Sequence, residues 1–140
     1  MTDLITRLSK LDAPDREVDA LIEVAVRRIE AAQSGLAEEH WANWQVSPDG
    51  TVYDPHTRYS SQPFTASVDA VIALAERVLP WWKWRVGRTE VFPNGWAYVH
   101  KYDPSNCDRI DEAACADGKA ANPAIALLIA LLRAKEASNA

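Results

Sequence analysis

Trp81-Trp82-Lys83-Trp84-Arg85 places three of the chain's six tryptophans within four positions, with two cations among them. On a strand, successive side chains point to opposite faces. Trp82 and Trp84 then share one face, and Trp81, Lys83 and Arg85 share the other. An indole beside an ammonium and a guanidinium suits a flat anion, because the ring stacks and the cations bond phosphate. The partner strand expected over residues 96–102 adds Tyr98 and His100, and Arg88 follows on the first strand. Trp81 or Tyr98 is expected to stack on a base, with Lys83, Arg85 and Arg88 gripping phosphate. The same residues also describe a plain sheet with core tryptophans and cations that snorkel to its surface. If helices cover both faces, Lys83 and Arg85 need an edge, a carboxylate or a ligand, since a buried unpaired cation is costly.

A second cluster, Thr65-Ala66-Ser67-Val68-Asp69, opens the central helix. Free N–H groups and hydroxyls at a helix start hold anions, and His56 and Arg58 lie just upstream. Plain capping by Thr65 or Ser67, with Asp69 in the first turn, accounts for the same residues. Residues 53–59 read as a candidate binding loop, or as a surface loop without a role. The candidate ligand-binding set is therefore Trp81, Lys83, Arg85, Arg88, Tyr98, His100, Arg58, Thr65 and Ser67.

Nothing in the chain spells catalysis. His40, His56 and His100 make no HxH or HExxH spacing, and GxSxG, Walker and GxGxxG motifs are absent. No catalytic residue, metal or cofactor is assigned, and a non-enzymatic role is expected. Residues 81–102 carry a charge of +3 and residues 103–118 a charge of -4. The acidic stretch lacks EF-hand spacing. It reads as a solvated, mobile loop, or as one that folds over the basic hairpin and neutralises it. Cys107 and Cys115 are too few and too widely spaced for a metal site.

The elements that must position these residues follow from periodicity. A chain of 140 residues with 48% hydrophobic content reads as one domain with a real core. Its net charge of -5 argues against binding DNA or RNA with the whole surface. The longest apolar run, residues 124–132, is too short to span a bilayer. Nothing resembles a signal peptide, so a reduced, cytoplasmic protein is expected. Thr2 is expected to cap a first helix with apolar Leu4, Ile5, Leu8 and Leu11. Asp12 or Ala13 is expected to cap a second, with Pro14 in its first turn and Ser34-Gly35 at its end. Residues 41–46 and 51–53 read as strands about the turn Ser47-Pro48-Asp49-Gly50, and residues 54–63 as loop. Val68, Val71, Ile72, Ala75, Val78 and Leu79 stripe a third helix that Pro80 stops. Strands over 81–91 and 96–102 flank the turn Pro93-Asn94-Gly95. Asn122-Pro123 opens a last helix, apolar nearly all round and so packed on more than one side. Together these give an α+β fold, an antiparallel sheet of about four strands sandwiched between helices in α/β/α layers.

Four pieces carry a family resemblance: Pro14-Asp15-Arg16-Glu17-Val18-Asp19-Ala20, Pro63-Phe64-Thr65-Ala66-Ser67-Val68-Asp69-Ala70, Trp81-Trp82-Lys83-Trp84-Arg85-Val86-Gly87 and Asn122-Pro123-Ala124-Ile125-Ala126-Leu127-Leu128. Over residues 13–133 the chain resembles the small phage and prophage proteins of the phage ABA sandwich domain. That resemblance implies a sheet with helices on both faces, and it carries no functional residue across. With the basic aromatic hairpin, it leads to an expected function. The chain is expected to be a phage-encoded, non-enzymatic binder that sequesters a cyclic-nucleotide or ADP-ribose-like signal of bacterial defence. The alternative is a protein-interaction module, inhibiting a host enzyme or serving the virion. Six tryptophans in so small a chain also favour a homo-oligomer, with Trp41, Trp44 and Trp96 at a sheet edge or a subunit contact.

Overall fold

The computed structural model describes residues 1–35, 43–103 and 105–138, the side chains of 103, 106–108, 112 and 113 excepted. His40, Trp41 and the Cys107 side chain lie outside it. In chain order the elements are α1 (Thr2–Ser9), α2 (Arg16–Gln33), β1 (Gln45–Val46), β2 (Thr51–Tyr53), β3 (Arg58–Ser60), α3 (Val68–Val78), β4 (Lys83–Gly87), β5 (Trp96–Asp103), β6 (Asn106–Lys119) and α4 (Pro123–Ser138). The class is α+β with helices against antiparallel strands, as expected. The strands form two three-stranded sheets, β1-β2-β3 and β4-β5-β6. Contacts divide the chain into two compact units, Asp15–Pro63 and Met1–Pro14 with Phe64–Ala140.

In the unit Asp15–Pro63, α2 packs on β1 and β2. Its cap is Asp15, whose carboxylate accepts from Val18 N at 3.2 Å, so the helix starts later than Asp12 or Ala13 and Pro14 lies outside it. Gly35 takes φ 78° just beyond the end, where a left-handed residue is needed. Ala20, Val24 and Val52 form a small core, with Trp44, Val46 and Tyr59 packed around it. Trp44 is half-buried against this core. Arg16 ties helix to sheet. Its guanidinium donates to Asp19 at 2.8 Å, to Ser60 Oγ at 2.9 Å and to the Ser61 carbonyl at 2.8 Å. Residues 54–63 are not all loop, because Arg58–Ser60 pairs with Thr51–Tyr53 as β3. Asp54 closes the intervening turn by accepting from the His56 and Thr57 amides, both at 2.7 Å.

The other unit is organised by α4. Every residue from Ala124 to Leu132 is buried, and the helix packs on β4, β5, β6, α1 and α3. That explains an apolar surface all round. Asn122 starts it, accepting from Ile125 N at 2.8 Å while its Nδ2 donates to the Thr65 carbonyl at 3.0 Å. Ile5 and Leu8 anchor α1. The cap of α1 is Met1 and not Thr2, whose hydroxyl donates instead to Glu136 Oε1 at 2.8 Å.

The acidic stretch is not a loop over the hairpin but the strand β6. Its register on β5 places Ala97 opposite Gly118 and Val99 opposite Ala116. Small residues there let α4 approach closely. A Cβ at Gly118 would collide with the Ala126 carbonyl oxygen and lie 3.0 Å from Ala130 N. Pairing and this close approach outweigh the poor strand propensity of Asp, Glu, Ala and Gly. β4 is also shorter than expected, since residues 88–91 leave the strand and residues 81 and 82 precede it.

Candidate functional site

β4 and β5 pair in the register Lys83↔His100, Arg85↔Tyr98 and Gly87↔Trp96. β6 extends the rows with Cys115 opposite His100, Asp117 opposite Tyr98 and Lys119 opposite Trp96. Directly opposed residues share a face. The alternate positions Ala97, Val99 and Gly118 are buried on the face that meets α4. The face away from α4 therefore carries three rows, Lys83–His100–Cys115, Arg85–Tyr98–Asp117 and Gly87–Trp96–Lys119.

Rings form a ladder along β5. Trp96 and Tyr98 stack with centroids 6.5 Å apart, and Tyr98 and His100 with centroids 5.2 Å apart. Tyr102 meets His100 edge-on at 5.5 Å. Such ring pairs contribute about 0.5–1.5 kcal/mol beyond their area burial. Lys83 and Arg85 are exposed beside the ladder, and among the described residues neither makes a hydrogen bond or ion pair.

His100 is 3% exposed, and its Nδ1 is buried with no hydrogen-bond partner among the described residues. Burial, and then the charges of Arg85 and Lys83, hold its pKa below the ordinary 6.5. The imidazole is therefore neutral near physiological pH and does not add a third cation. Tyr98 moves the other way. Burial raises its pKa first, then a hydrogen bond with the Cys115 thiol and the neighbouring Cys115 and Asp117 charges, against the opposing pull of Arg85. Among the described residues Cys115 is in no disulfide. Among the described residues no group of three or more His, Cys, Asp or Glu side chains could hold a metal ion.

The expected site residues divide. Lys83, Arg85, Tyr98 and His100 come together on one face. Arg88 lies just past β4, exposed, with Nε donating to the Asn94 carbonyl at 3.2 Å across the hairpin turn. Trp81 does not share the face, because β4 begins at Lys83. It sits in the α3–β4 connection at φ 74°, 92% exposed. Thr65 is buried, and the Ser67 hydroxyl caps α3 by accepting from Ala70 N at 3.2 Å, so plain capping describes this helix start. Arg58 is exposed on β3, opposite Tyr53 in the other unit. Sequence reasoning missed Cys115, Asp117 and Lys119, which complete the rows. The alternation of Cys115, Asp117 and Lys119 with Ala116 and Gly118 was the available signal, hidden under an acidic composition.

A cleft of about 560 Å³ opens in the same unit, where the end of α3 and the α3–β4 connection meet Val99 and Leu131. Among the described residues no helix is long and apolar enough to cross a membrane. No family model, no curated protein and no solved structure matches the chain.

Proposed function

We propose that the protein is a non-enzymatic binder of a small anionic ligand with a flat ring, of nucleotide type, held on the β4–β6 face away from α4. One observation carries the reading. Two exposed cations without partners among the described residues, Lys83 and Arg85, flank a ring ladder of Trp96, Tyr98 and His100. Phosphate oxygens would take the two cations, and a base would lie on Tyr98 or Trp96, where stacking contributes about 1–3 kcal/mol per base. On the phage resemblance, the biological use of such a binder is sequestration of a cyclic-nucleotide or ADP-ribose-like defence signal.

The test is a thermal-shift panel of linear and cyclic nucleotides and ADP-ribose derivatives, with product analysis by chromatography. Ligand at a hundred times its Kd stabilises the fold by about 2.7 kcal/mol, which a melting curve resolves. A stabilising compound recovered unchanged supports the reading. A compound that is consumed makes the protein an enzyme. A silent panel moves the case to a protein-interaction module, for which the exposed Trp81 is the first contact to probe.

A further inference from the structure

The cleft beside α3 has a chemistry opposite to that of the cationic face. Trp81, Trp82 and Trp84 are among the residues that line it, and Leu79, Pro80, Val99 and Leu131 give it an apolar floor. Glu76 is the one acidic residue lining it, and it is exposed. The cleft also lies at the C-terminal end of α3, whose cap is Leu79. Helix C-termini carry about half a negative charge.

Arg77 stands in the last turn of α3 and offsets part of that charge, while three lysines near the cleft have other neighbours. Lys83 lines the cleft, but its register opposite His100 puts its side chain on the other face of the sheet, where its charge acts on His100. Lys101 lies over the Trp82 ring, 6.0 Å from the centroid, and lines a separate depression with Ala134 and Ala137. Lys135 donates to the Val78 carbonyl at 3.4 Å.

Trp81 makes this arrangement pointed. A non-glycine residue at φ 74° sits in the left-handed region, which costs roughly 1–2 kcal/mol for an L-residue. An indole left 92% exposed recovers none of that by packing. Strained backbone of this kind clusters at ligand clamps and switch segments.

We propose that this cleft is a second ligand site and takes a small organic cation of alkylated-ammonium type, held by the indole faces and the Glu76 carboxylate. Cations over indole are attracted by the ring quadrupole, most strongly on tryptophan. A volume near 560 Å³ falls within the range of small-molecule sites.

The experiment titrates the full chain with choline and with its uncharged isostere, in which tert-butyl replaces trimethylammonium, read by tryptophan fluorescence and calorimetry. Saturable choline binding is expected, with the isostere at least tenfold weaker. Glu76→Gln and Trp81→Ala should each weaken choline at least tenfold, about 1.4 kcal/mol, with Tm unchanged. Arg85 does not line the cleft, and Arg85→Ala should leave choline binding intact, so this site and the anion site fail separately. Absence of saturable choline binding overturns the proposal. So does equal affinity for the isostere, or unchanged choline binding in a Glu76→Gln chain that folds like the parent.

Discussion

Gly118→Ala is expected to be the most damaging single-methyl change in the sheet. A Cβ there runs into the Ala126 carbonyl oxygen and lies 3.0 Å from Ala130 N and 3.1 Å from Ile129 Cβ. Two of those three atoms are backbone in the fully buried stretch of α4, so no rotamer change clears them. Relief requires α4 to lift off β6, which also loosens its contact with β5. Overpacking by a methylene or so costs about 1–3 kcal/mol where side chains can yield. Here backbone must yield, so about 3 kcal/mol is expected. Gly87→Ala is the matched control on the same sheet, because a Cβ there meets nothing within 4 Å. Strand glycine is less favourable than alanine by roughly 0.5–1 kcal/mol, so that change should be neutral or mildly stabilising. Urea denaturation of the two variants and the parent, compared by midpoint at constant slope, measures both. If Gly118→Ala matches the parent, α4 does not sit on β6 as described, and the argument for β6 as a packed strand collapses with it.

Arg85→Ala should remove nucleotide-type binding at least tenfold while leaving the urea midpoint unchanged, and a large stability loss with unaltered binding would refute the anion site. The same change should raise the His100 pKa towards 6.5, since Arg85 is one cause of its depression, and NMR titration of the imidazole reads this directly. Because the folded pKa lies below the unfolded one, the stability linked to His100 is present above pH 6.5 and is lost as pH falls through the folded value. An anion on Lys83 and Arg85 offsets the charges that depress His100, so binding should take up a proton and strengthen as pH falls. Calorimetry in buffers of different ionisation enthalpy would show no proton uptake if that coupling is wrong. Ser67→Ala removes the α3 cap and should cost about 1 kcal/mol, whereas Trp81→Gly should cost little, because it relieves the left-handed backbone and loses almost no packing.

Helices were legible because their signals are local. Pro80 stops α3, Gly35 closes α2, and Asn122-Pro123 opens α4 where the periodicity said. Even there, Asp15 took a cap assigned to Asp12 or Ala13, since several acids in a row can each accept from a first-turn amide. The strands were read worse. β3 and β6 pair with the strand just before them, but β3 is only Arg58–Ser60, and β6 carries the acids and small residues that ordinarily mark a loop. The candidate site was half visible for the same reason. Alternation along β4 and β5 brought Lys83, Arg85, Tyr98 and His100 together correctly. It failed at Trp81, because alternation holds only inside a strand and β4 begins two residues later. Cys115 and Asp117 could not be placed until β6 was recognised as a strand.

The bond between Thr2 and Glu136 has a consequence for how the chain is made. The unit it belongs to is assembled from Met1–Pro14 and Phe64–Ala140, so its first helix must wait for its last. The intervening segment, Asp15–Pro63, has all its internal partners as soon as it leaves the ribosome. From the emergence of β4–β6 until α4 follows, the chain carries that segment between two unfinished parts of the other unit. During that interval the apolar face of β4–β6 and the buried side of α1 stay uncovered, since α4 is the last element to emerge. Aggregation during expression should track mutations that delay α4 docking, Gly118 above all, more closely than it tracks those in the early segment.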